Sequence, residues 1–387
     1  ARRISQMRML VLGAGLQGSA CTYDLLQNPD VREVRLADLN IRNLPSFLAP
    51  LSGPRLIPTP LDVRDLEAVS AVMRESDAVM SALPYYFNTE MARLAIEAGA
   101  HFTDLGGNTQ IVGEQKAMTK RAEEKGVSVV PDTGLAPGMV NILSEYGISK
   151  LDTVDAVRIF VGGLPQHPEP PLNYHIVYSL EGVIDYYTTL SWVLRDGKQQ
   201  QVTALSEIEP VQFGEGIGEL EAFHTAGGLS TMAQRYEGKI PTMEYKTLRY
   251  PGHAKIMEAI RELGLLEQEP IEVRPGVHVA PREMFFKAAG PRLTKPKALD
   301  LVALRVEVTG KKDGKPATHA WELIDRYDEQ HGISAMMRTT GYSLSITGQM
   351  QATGRIAPGV HTPDEAVPAE EYITALAKRG VNIRKIV

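Results

Sequence analysis

The stretch LVLGAGLQGSA, residues 10–20, runs from apolar residues into three closely spaced glycines. Gly13, Gly15 and Gly18 have the spacing G-x-G-x-x-G, and they overlap the start of a helix-period segment, Leu16–Gln27. In a strand–turn–helix unit, the first glycine permits a tight turn and the second lets a pyrophosphate approach the backbone. The third lets the helix pack close to the strand. Glycine is common, so the setting decides whether this turn binds a dinucleotide or nothing.

The first 140 residues alternate between strand-like and helix-like segments. The strand-like runs are Met9–Leu12, Glu33–Ala37, Asp77–Ala82, His101–Leu105 and Val127–Pro131. The helix-period runs are Leu16–Gln27, Asp65–Glu75, Asn88–Ala98 and Gly113–Lys125. Arg55–Leu61 is a weaker strand candidate, which Pro58 and Pro60 would restrict to a sheet edge. The alternation predicts an α/β fold with a Rossmann-type doubly wound parallel sheet, which would form an NAD-binding domain over residues 1–140.

A different pattern begins near residue 150. Val154–Gly162 is typical of a strand, and two Asp-Gly pairs each join two strand-like runs, which is a strong hairpin signal. These runs are Trp192–Arg195 with Lys198–Leu205, and Leu301–Thr309 with Lys315–Asp328. A helical period returns in Ile333–Gln351 and Glu370–Arg379. We therefore predict an inserted α+β domain with a mostly antiparallel sheet over residues 141–335, followed by C-terminal helices over residues 336–387.

The bulk composition argues against several classes of partner. The formal net charge is −6 and no long basic run occurs, which argues against binding to nucleic acid or to an anionic membrane. No apolar run reaches the ~18 residues of a transmembrane helix. The single cysteine, Cys21, excludes an intrachain disulfide and fits a cytoplasmic protein. The histidines show no zinc-ligand spacing, so we expect no bound metal.

Asp38 ends the second strand-like run, 20 residues after Gly18. A carboxylate at this place can bind the ribose 2′-hydroxyl of NAD and would repel the 2′-phosphate of NADP, so the sequence favours NAD. Arg42 lies close behind and weakens that preference.

Other cofactor contacts are predicted at the glycine turn and at the carboxyl ends of successive strands, where open α/β sheets bind ligands. The full predicted set is Gly13, Gly15, Leu16, Gln17, Gly18, Asp38, Asp62, Val63, Ala82, Leu83, Pro84, Asn88, Leu105 and Gly106. Asp104 and Asp132 follow later strands and should lie nearer the nicotinamide and the substrate. An aspartate after a strand is often only a turn former or a helix cap, and for Asp62, Asp104 and Asp132 that alternative stays open.

Eight segments together carry a family resemblance. Those of the first half resemble the saccharopine dehydrogenase-like family: LVLGAGLQG (10–18), SALPYYFN (81–88), FTDLGG (102–107) and VVPDTGLAPGMVNIL (129–143). Those of the second half are similar to its lysine 6-dehydrogenase branch: SLEGVIDYY (179–187), VLRDGK (193–198), TLRYPGH (247–253) and GVHTPDEAVP (359–368). The resemblance extends from about Met7 to Val387.

The resemblance implies a Rossmann domain to which the C-terminal helices return, an inserted domain for substrate binding and dimerisation, and a homodimer or larger homo-oligomer. It implies NAD-dependent oxidation of the ε-amino carbon of L-lysine with release of ammonia. The product, 2-aminoadipate 6-semialdehyde, cyclises to piperideine-6-carboxylate. The reaction needs a base for the substrate ε-ammonium, and a histidine or a tuned carboxylate titrates in the right range.

The segment YKTLRYPGHAKIM, residues 245–257, is the first candidate for the substrate site. A Pro-Gly turn there brings Arg249, Tyr250 and His253 within five residues, between a strand-like and a helix-like run. His253 at the helix start could face a cleft as the base, and Arg249 or Tyr250 could hold a carboxylate. A surface turn with a stacked tyrosine and a solvated arginine is the alternative.

The segment NYHIVYSLEGVIDYY, residues 173–187, is the second candidate. Tyr174 is a predicted substrate contact, and Glu181 at a helix start could bind the substrate ammonium or act as the base. The alternative for Glu181 is a carboxylate that the helix dipole favours at that end. Tyr186 and Tyr187 are predicted core or dimer contacts.

A third segment, FHTAGGLSTM (223–232), places Thr225 before a glycine pair that could bind the α-carboxylate or only cap a helix. The predicted catalytic residues are therefore Asp104, Glu181 and His253. The predicted substrate contacts are Tyr174, Thr225, Arg249, Tyr250 and Asp132.

Two other functions stay open from the sequence. The first is an enzyme that makes or cleaves a secondary amine such as saccharopine or carboxynorspermidine. A saccharopine site must hold three carboxylates, and the second half offers few clustered basic residues, which favours a smaller substrate. The second is a nucleotide-binding protein without turnover.

Overall fold

The computed structural model describes residues 6–295 and 298–387. The first predicted domain starts at residue 1, so that boundary lies outside the described residues. The N-terminal part alternates strands and helices as predicted. Its strands are β1 (Met7–Leu12), β2 (Val31–Asp38), β3 (Leu56–Pro60), β4 (Ala78–Ser81), β5 (His101–Asp104) and β6 (Ser128–Val130). Its helices are α1 (Leu16–Gln27), α2 (Leu66–Arg74), α3 (Asn88–Ala98), α4 (Thr109–Lys116), α5 (Thr119–Lys125) and α6 (Met139–Ser149).

The first sheet is parallel and doubly wound, as the sequence predicts. From one edge, the strand order is Gly359–Val360, β6, β5, β4, β1, β2 and β3. β3 carries Pro58 and Pro60 and lies at the edge, because a proline has no N–H to donate to a neighbouring strand. The carboxyl ends of the strands meet at one edge of the sheet, and the glycine turn after β1 lies there.

One predicted helix of this part is two helices. The sequence predicts a single helix over Gly113–Lys125, whereas α4 starts at Thr109 and stops at Lys116. The side chain of Asn108 accepts a hydrogen bond from the N–H of Ile111 at 3.1 Å and so caps an earlier start. At the other end, the N–H of Met118 bonds to the carbonyl of Gln115 at 2.9 Å, a tight turn that separates α4 from α5.

The second sheet is mixed and mostly antiparallel. Its strands and an adjoining hairpin are β7 (Thr153–Pro165), β8 (Ser191–Arg195), β9 (Lys198–Val202), β10 (Glu209–Phe213), β11 (Gly218–His224), β12 (Thr242–Arg249), β13 (Ile271–Arg274), β14 (Val277–Val279), β15 (Asp300–Lys312) and β16 (Lys315–Arg326). The order begins β10-β11-β12-β7-β15-β16. Among the described residues of this sheet, only β12 and β7 run parallel, and β8 joins β12 to β9. Separately, β13 pairs with β14.

The two predicted Asp-Gly hairpins are present. Asp196 and Gly197 have φ values of +52° and +75°, and Asp313 and Gly314 have +52° and +74°. Two successive positive φ angles define the turn that suits the twist of a two-residue hairpin. These turns join β8 to β9 and β15 to β16.

The remaining helices cover the second sheet and then return to the first. Those of the second part are α7 (Leu180–Thr188), α8 (Met232–Tyr236), α9 (His253–Glu262) and α10 (Pro281–Leu293). The C-terminal elements are α11 (Ala335–Ala352), β17 (Gly359–Val360), α12 (Pro363–Ala366), α13 (Ala369–Lys378) and β18 (Arg384–Lys385). α11 packs on α1 so closely that a Cβ at Gly341 would lie 2.7 Å from the Cβ of Ala20. In the described part of the chain, no helix is long and apolar enough to cross a membrane.

Candidate active site

The glycine turn has the geometry of a dinucleotide-binding turn. Gly13 has a φ of +97°, and a Cβ there would lie 2.9 Å from the carbonyl oxygen of Ala82. A Cβ at Gly18 would lie 1.7 Å from the carbonyl oxygen of Gly13, so only glycine permits this approach of α1 to the turn. At Gly15, the N-cap of α1, a Cβ would meet no atom of residues 6–295 or 298–387 within 4 Å, and none of their side chains caps the helix. The helix N-terminus is therefore open to a pyrophosphate.

Asp38 lies beside this turn at the end of β2. Its carboxylate accepts a hydrogen bond from the backbone N–H of Ala14 at 2.7 Å, which ties the second strand to the glycine turn. Arg42 is exposed on the following loop. A ribose hydroxyl can share the Asp38 carboxylate, so the residues present fit a nicotinamide dinucleotide. Such a cofactor accepts a hydride from a substrate carbon when it is bound.

Most of the other predicted cofactor residues lie along the same edge. Leu16 is exposed in the first turn of α1, and Ala82, Leu83 and Pro84 leave β4 beside Gly13. Gln17, Leu105 and Gly106 line a cavity next to the turn.

Three other predicted cofactor residues follow β3 and β4 at this edge, and their side chains bond within the protein or are partly covered. Asn88 is fully buried at the start of α3, where its side-chain oxygen accepts the hydroxyl of Ser81 at 2.8 Å, so its assignment as a cofactor contact is wrong. Asp62 pairs with Arg64 at 3.0 Å on an exposed turn, and hydrogen bonds from Arg64 lower the pKa of Asp62. Val63 beside it is half-buried. The pair with Arg64 is compatible with a turn former, and cofactor contact by Asp62 and Val63 stays a prediction.

A cavity of about 280 Å³ lies between the edge of the first sheet and strands β7 and β12 of the second sheet. One wall consists of the turns after β5 and β6, residues 105–107 and 134–137. The opposite wall carries hydroxyl side chains from four tyrosines and two threonines, namely Tyr178, Tyr186, Tyr187, Tyr245, Thr225 and Thr247. Among the described residues that line it, Arg249 alone is charged, and no Asp, Glu, His or Lys is present.

Arg249 ends β12 and is only 4% exposed. Its Nε–H donates to the hydroxyl oxygen of Tyr187 at 3.1 Å, and its Nη1 donates to the carbonyl of Leu248 at 2.9 Å. The guanidinium lies 4.8 Å from the centre of the Tyr174 ring. Within the described ranges, no carboxylate forms an ion pair with it. A buried cation without a counter-ion is costly unless a ligand supplies the anion, so Arg249 is suited to bind a substrate carboxylate.

His253 is the first residue of α9, but its ring points into the protein. It is 2% exposed; its Nδ1–H donates to the carbonyl of Leu172 at 3.0 Å, and its Nε2 accepts the Tyr187 hydroxyl at 2.7 Å. Burial, with a smaller contribution from the Arg249 charge, lowers the pKa of His253 to about 3. The prediction that His253 faces the cleft as the base is therefore wrong. The two neighbours that bond its nitrogens hold the ring in the interior.

Three more predicted site residues do not line the cavity, and their catalytic and substrate-binding roles stay predictions. Glu181 is exposed in the first turn of α7, where the helix dipole favours a carboxylate. Tyr250 donates its hydroxyl to the carbonyl of Pro165 at 2.6 Å. Tyr174 is buried against Arg249 and lines a neighbouring pocket instead.

Asp104 and Asp132 lie behind the cavity wall and are not among its lining residues, and their catalytic and substrate-binding roles stay predictions. Asp104 accepts the side chain of Gln115 at 2.8 Å and the N–H of Asp132 at 3.1 Å. Asp132 accepts the N–H of Gly107 at 3.2 Å and the hydroxyl of Ser230. Burial raises the pKa of Asp104 to about 6, and burial together with the Asp104 charge raises that of Asp132 to about 7. Both carboxylates fix the turn after β5.

Thr225 and Arg249 are the predicted substrate contacts that the structure brings to the cavity. The hydroxyls of Thr225 and Thr247 are 2.6 Å apart. The sequence did not identify the tyrosine wall. It assigned Tyr187 to the core or to a dimer contact, and Tyr187 does belong to a buried core cluster while it also lines the cavity. A usable signal was the alternation along β12, where Tyr245, Thr247 and Arg249 recur at every second residue and so share one face. No cluster of three potential metal ligands occurs in the described residues.

Comparisons with known proteins agree with this architecture. A family model described as the saccharopine dehydrogenase NADP binding domain matches residues 9–130, and one described as the saccharopine dehydrogenase C-terminal domain matches residues 134–381. The solved structure of apo histidine-tagged saccharopine dehydrogenase (L-Glu forming) from Saccharomyces cerevisiae superposes with a TM-score of 0.80 at 20% identity. The superposition covers 98% of this chain and 99% of that chain, so the two share a fold.

Curated relatives are similar over different spans. Mitochondrial alpha-aminoadipic semialdehyde synthase of Mus musculus is 26% identical over 68% of this chain and 29% of its own length. Saccharopine dehydrogenase [NADP(+), L-glutamate-forming] of Saccharomyces cerevisiae is 25% identical over 68% of this chain and 60% of its own length. The chain thus spans under a third of the first protein and three fifths of the second. Carboxynorspermidine synthase of Vibrio cholerae is 22% identical over 94% of this chain and 93% of its own length.

Proposed function

The chain belongs to the saccharopine dehydrogenase family, and on that premise we propose that it oxidises the ε-amino carbon of L-lysine with NAD⁺. One hydride leaves the ε-carbon, one water is consumed, and ammonia and 2-aminoadipate 6-semialdehyde are released; the semialdehyde cyclises to piperideine-6-carboxylate. The observation that carries the proposal is Arg249, a buried cation that no carboxylate of the described residues pairs with, in a cavity of about 280 Å³. One such cation matches the single carboxylate of lysine.

The number of cationic side chains in the cavity also distinguishes between the candidate substrates. Saccharopine carries three carboxylates, and in the described lining only Arg249 is cationic. Binding the other two carboxylates would place unpaired anions in an apolar, tyrosine-lined space, which is unfavourable. A secondary amine with one carboxylate fits as well as lysine, and the near full-length similarity to a carboxynorspermidine synthase favours that second candidate.

A panel of amines tests these alternatives. Purified protein is mixed with NAD⁺ or NADP⁺ and with lysine, saccharopine, carboxynorspermidine or cadaverine, and the near-ultraviolet absorbance of the reduced cofactor is followed. We expect the highest kcat/KM with lysine and NAD⁺. No reduction with lysine would refute the proposal, and reduction with carboxynorspermidine alone would establish the second candidate. Cofactor binding without reduction by any amine would indicate a nucleotide-binding protein without turnover.

The proposal also covers the roles of the domains, the oligomeric state and the cellular compartment. We place NAD binding in residues 1–140, substrate binding and dimerisation in residues 141–335, and the packing of the C-terminal helices on the Rossmann domain in residues 336–387. The packing of α11 on α1 supports the last assignment. A homodimer in the cytoplasm completes the proposal, and the buried, unpaired Cys21 is compatible with a reducing compartment.

The pH dependence of the reaction should follow the substrate and not the protein. Since no Asp, Glu, His or Lys lines the described cavity wall, the reactive species is the lysine whose ε-amine is already neutral. The ε-ammonium of free lysine has a pKa of about 10.4, so kcat/KM should rise about tenfold per pH unit between about pH 7 and pH 9. A plateau above about pH 7 would instead implicate Asp132, whose pKa burial raises to about 7.

Removing the charge of Asp38 should change the cofactor preference. In Asp38→Asn the side-chain oxygen can still accept the N–H of Ala14, but the repulsion of a 2′-phosphate is lost. We expect the ratio of NADPH to NADH affinity, measured by fluorescence titration, to rise about tenfold or more. Asp62→Asn, at the end of the next strand and paired with Arg64, is the control and should leave the ratio unchanged. An unchanged ratio in Asp38→Asn would contradict the role of Asp38.

A further inference from the structure

The hydrogen bonds around His253 have a single consistent direction. The carbonyl of Leu172 can only accept, so the Nδ1 of His253 carries a hydrogen. The ring is neutral, because burial lowers the pKa of His253 to about 3. Its Nε2 is therefore an acceptor, and the hydroxyl of Tyr187 must donate to it at 2.7 Å.

The hydroxyl hydrogen of Tyr187 is thus not available to the cavity. The Tyr187 oxygen also accepts the Nε–H of Arg249 at 3.1 Å, and Tyr187 belongs to the cavity lining. Any further hydrogen bond to this oxygen has to come from a donor. Beside it, Arg249 has its Nη1 on the Leu248 carbonyl, and no hydrogen bond within the described residues involves its Nη2. The cavity therefore presents a cationic donor and a pure acceptor side by side.

We propose that Arg249 and Tyr187 together recognise the α-amino acid head of the substrate, with the carboxylate on Nη2 of Arg249 and the α-ammonium donating to the Tyr187 oxygen. This inference rests on the proposed function and narrows it to substrates with a free α-amino acid head and a second amine further along the chain. The carboxylate and the ammonium share one carbon, so they arrive as a pair, and the bound carboxylate offsets the repulsion between Arg249 and the ammonium. His253 is a positioning residue that keeps Tyr187 an acceptor.

The arrangement also accounts for which amine is oxidised. A nitrogen held as ammonium has no lone pair to assist the departure of hydride from its carbon. Tyr187 stabilises the α-nitrogen in that protonated form, because its oxygen can only accept there. The distal amine enters the part of the cavity that the other tyrosines line. His253 does not hold the hydroxyl hydrogens of those tyrosines, so the distal amine is not kept protonated and can react as the neutral amine.

Binding of two lysine analogues tests the inference without any turnover. 6-Aminohexanoate lacks the α-amine and cadaverine lacks the carboxylate; dissociation constants are measured by calorimetry with the NADH complex, in which oxidation cannot occur. We expect lysine to bind about tenfold tighter than 6-aminohexanoate or more, the usual value of a hydrogen bond to a charged group. In Tyr187→Phe and His253→Leu that ratio should fall to about twofold or less, while the preference for lysine over cadaverine persists.

Two further variants separate positioning from a loss of fold. In His253→Gln, the side-chain oxygen can accept the Tyr187 hydroxyl, so part of the ratio should return. Tyr250→Phe removes a hydroxyl that bonds to Pro165 outside the cavity, and it should keep the full ratio. Equal binding of lysine and 6-aminohexanoate by the unmodified protein, or a full ratio in Tyr187→Phe, would overturn the inference. A normal ratio without oxidation of lysine would support the head recognition and refute the proposed reaction.

Discussion

Replacing Gly18 by alanine should abolish measurable NADH binding and lower the free energy of unfolding by about 3 kcal/mol. The new Cβ would lie 1.7 Å from the carbonyl oxygen of Gly13 and 2.9 Å from its carbonyl carbon, and both are backbone atoms that cannot rotate away. α1 has to shift, and the turn that would hold the pyrophosphate shifts with it. Fluorescence titration with NADH and urea unfolding measure the two effects.

Gly15→Ala is the matched control for this experiment. A Cβ at Gly15 meets no atom of the part of the chain that the structure describes within 4 Å, and the residue has an ordinary φ of −72°, so stability should be unchanged. The methyl group stands at the open end of α1, and we expect NADH affinity to fall about tenfold or more because the phosphates approach there. Wild-type NADH affinity in Gly18→Ala, or in Gly15→Ala, would contradict the assignment of the turn.

Arg249→Met should reduce kcat/KM for lysine about 1,000-fold, which corresponds to about 4 kcal/mol of lost charge pairing. The variant removes the only charged side chain in the described lining of the cavity, while the glycine turn is untouched, so NADH affinity should stay the same. The free energy of unfolding should be unchanged or higher, since a buried cation without a counter-ion is itself unfavourable. Steady-state kinetics and urea unfolding measure these effects.

Two other substitutions test whether the effect of Arg249→Met comes from the charge and shape of Arg249 itself. Arg249→Lys keeps the charge but loses the planar fork, and we expect a smaller loss of kcat/KM, about tenfold to a hundredfold. Arg158→Met removes a cation from the neighbouring strand β7, where Arg158 pairs with Glu244 at 2.8 Å outside the cavity, and it should leave KM for lysine unchanged. A kcat/KM within about threefold of wild type in Arg249→Met would place the substrate carboxylate elsewhere.

Local rules were sufficient to predict the first sheet and its cofactor turn. The spacing of Gly13, Gly15 and Gly18 requires backbone conformations and contacts that the structure contains. The two prolines of β3 lack an N–H donor, and the two Asp-Gly pairs adopt the positive φ angles of a hairpin turn. The edge strand and both hairpins could therefore be predicted from neighbouring residues alone. The hypothesis that the substrate is lysine came from the resemblance to a family, because the spacing of residues in the sequence does not indicate a substrate.

The substrate cavity depends on contacts between distant parts of the chain. Whether His253 faces a cleft or the interior is decided by Leu172 and Tyr187, 81 and 66 residues earlier in the chain. Asp104 and Asp132 follow strands as expected, yet both are buried. Asp104 bonds to Gln115, a contact that the spacing of residues along the sequence does not predict. The tyrosine wall likewise combines α7, the loop before it and β12. The sequence signal for this wall is limited to β12, where the alternation of Tyr245, Thr247 and Arg249 indicates that the three side chains share one face.

The most direct measurement is the fate of deuterium from L-lysine labelled at both hydrogens of the ε-carbon. We expect the protein to reduce NAD⁺ with this substrate, to transfer deuterium to the nicotinamide ring, and to react more slowly than with unlabelled lysine. Mass spectrometry of the reduced cofactor reports the transfer. Reduced cofactor without deuterium would place the oxidised carbon elsewhere in the substrate, and no reduction at all would contradict lysine oxidation by this cavity.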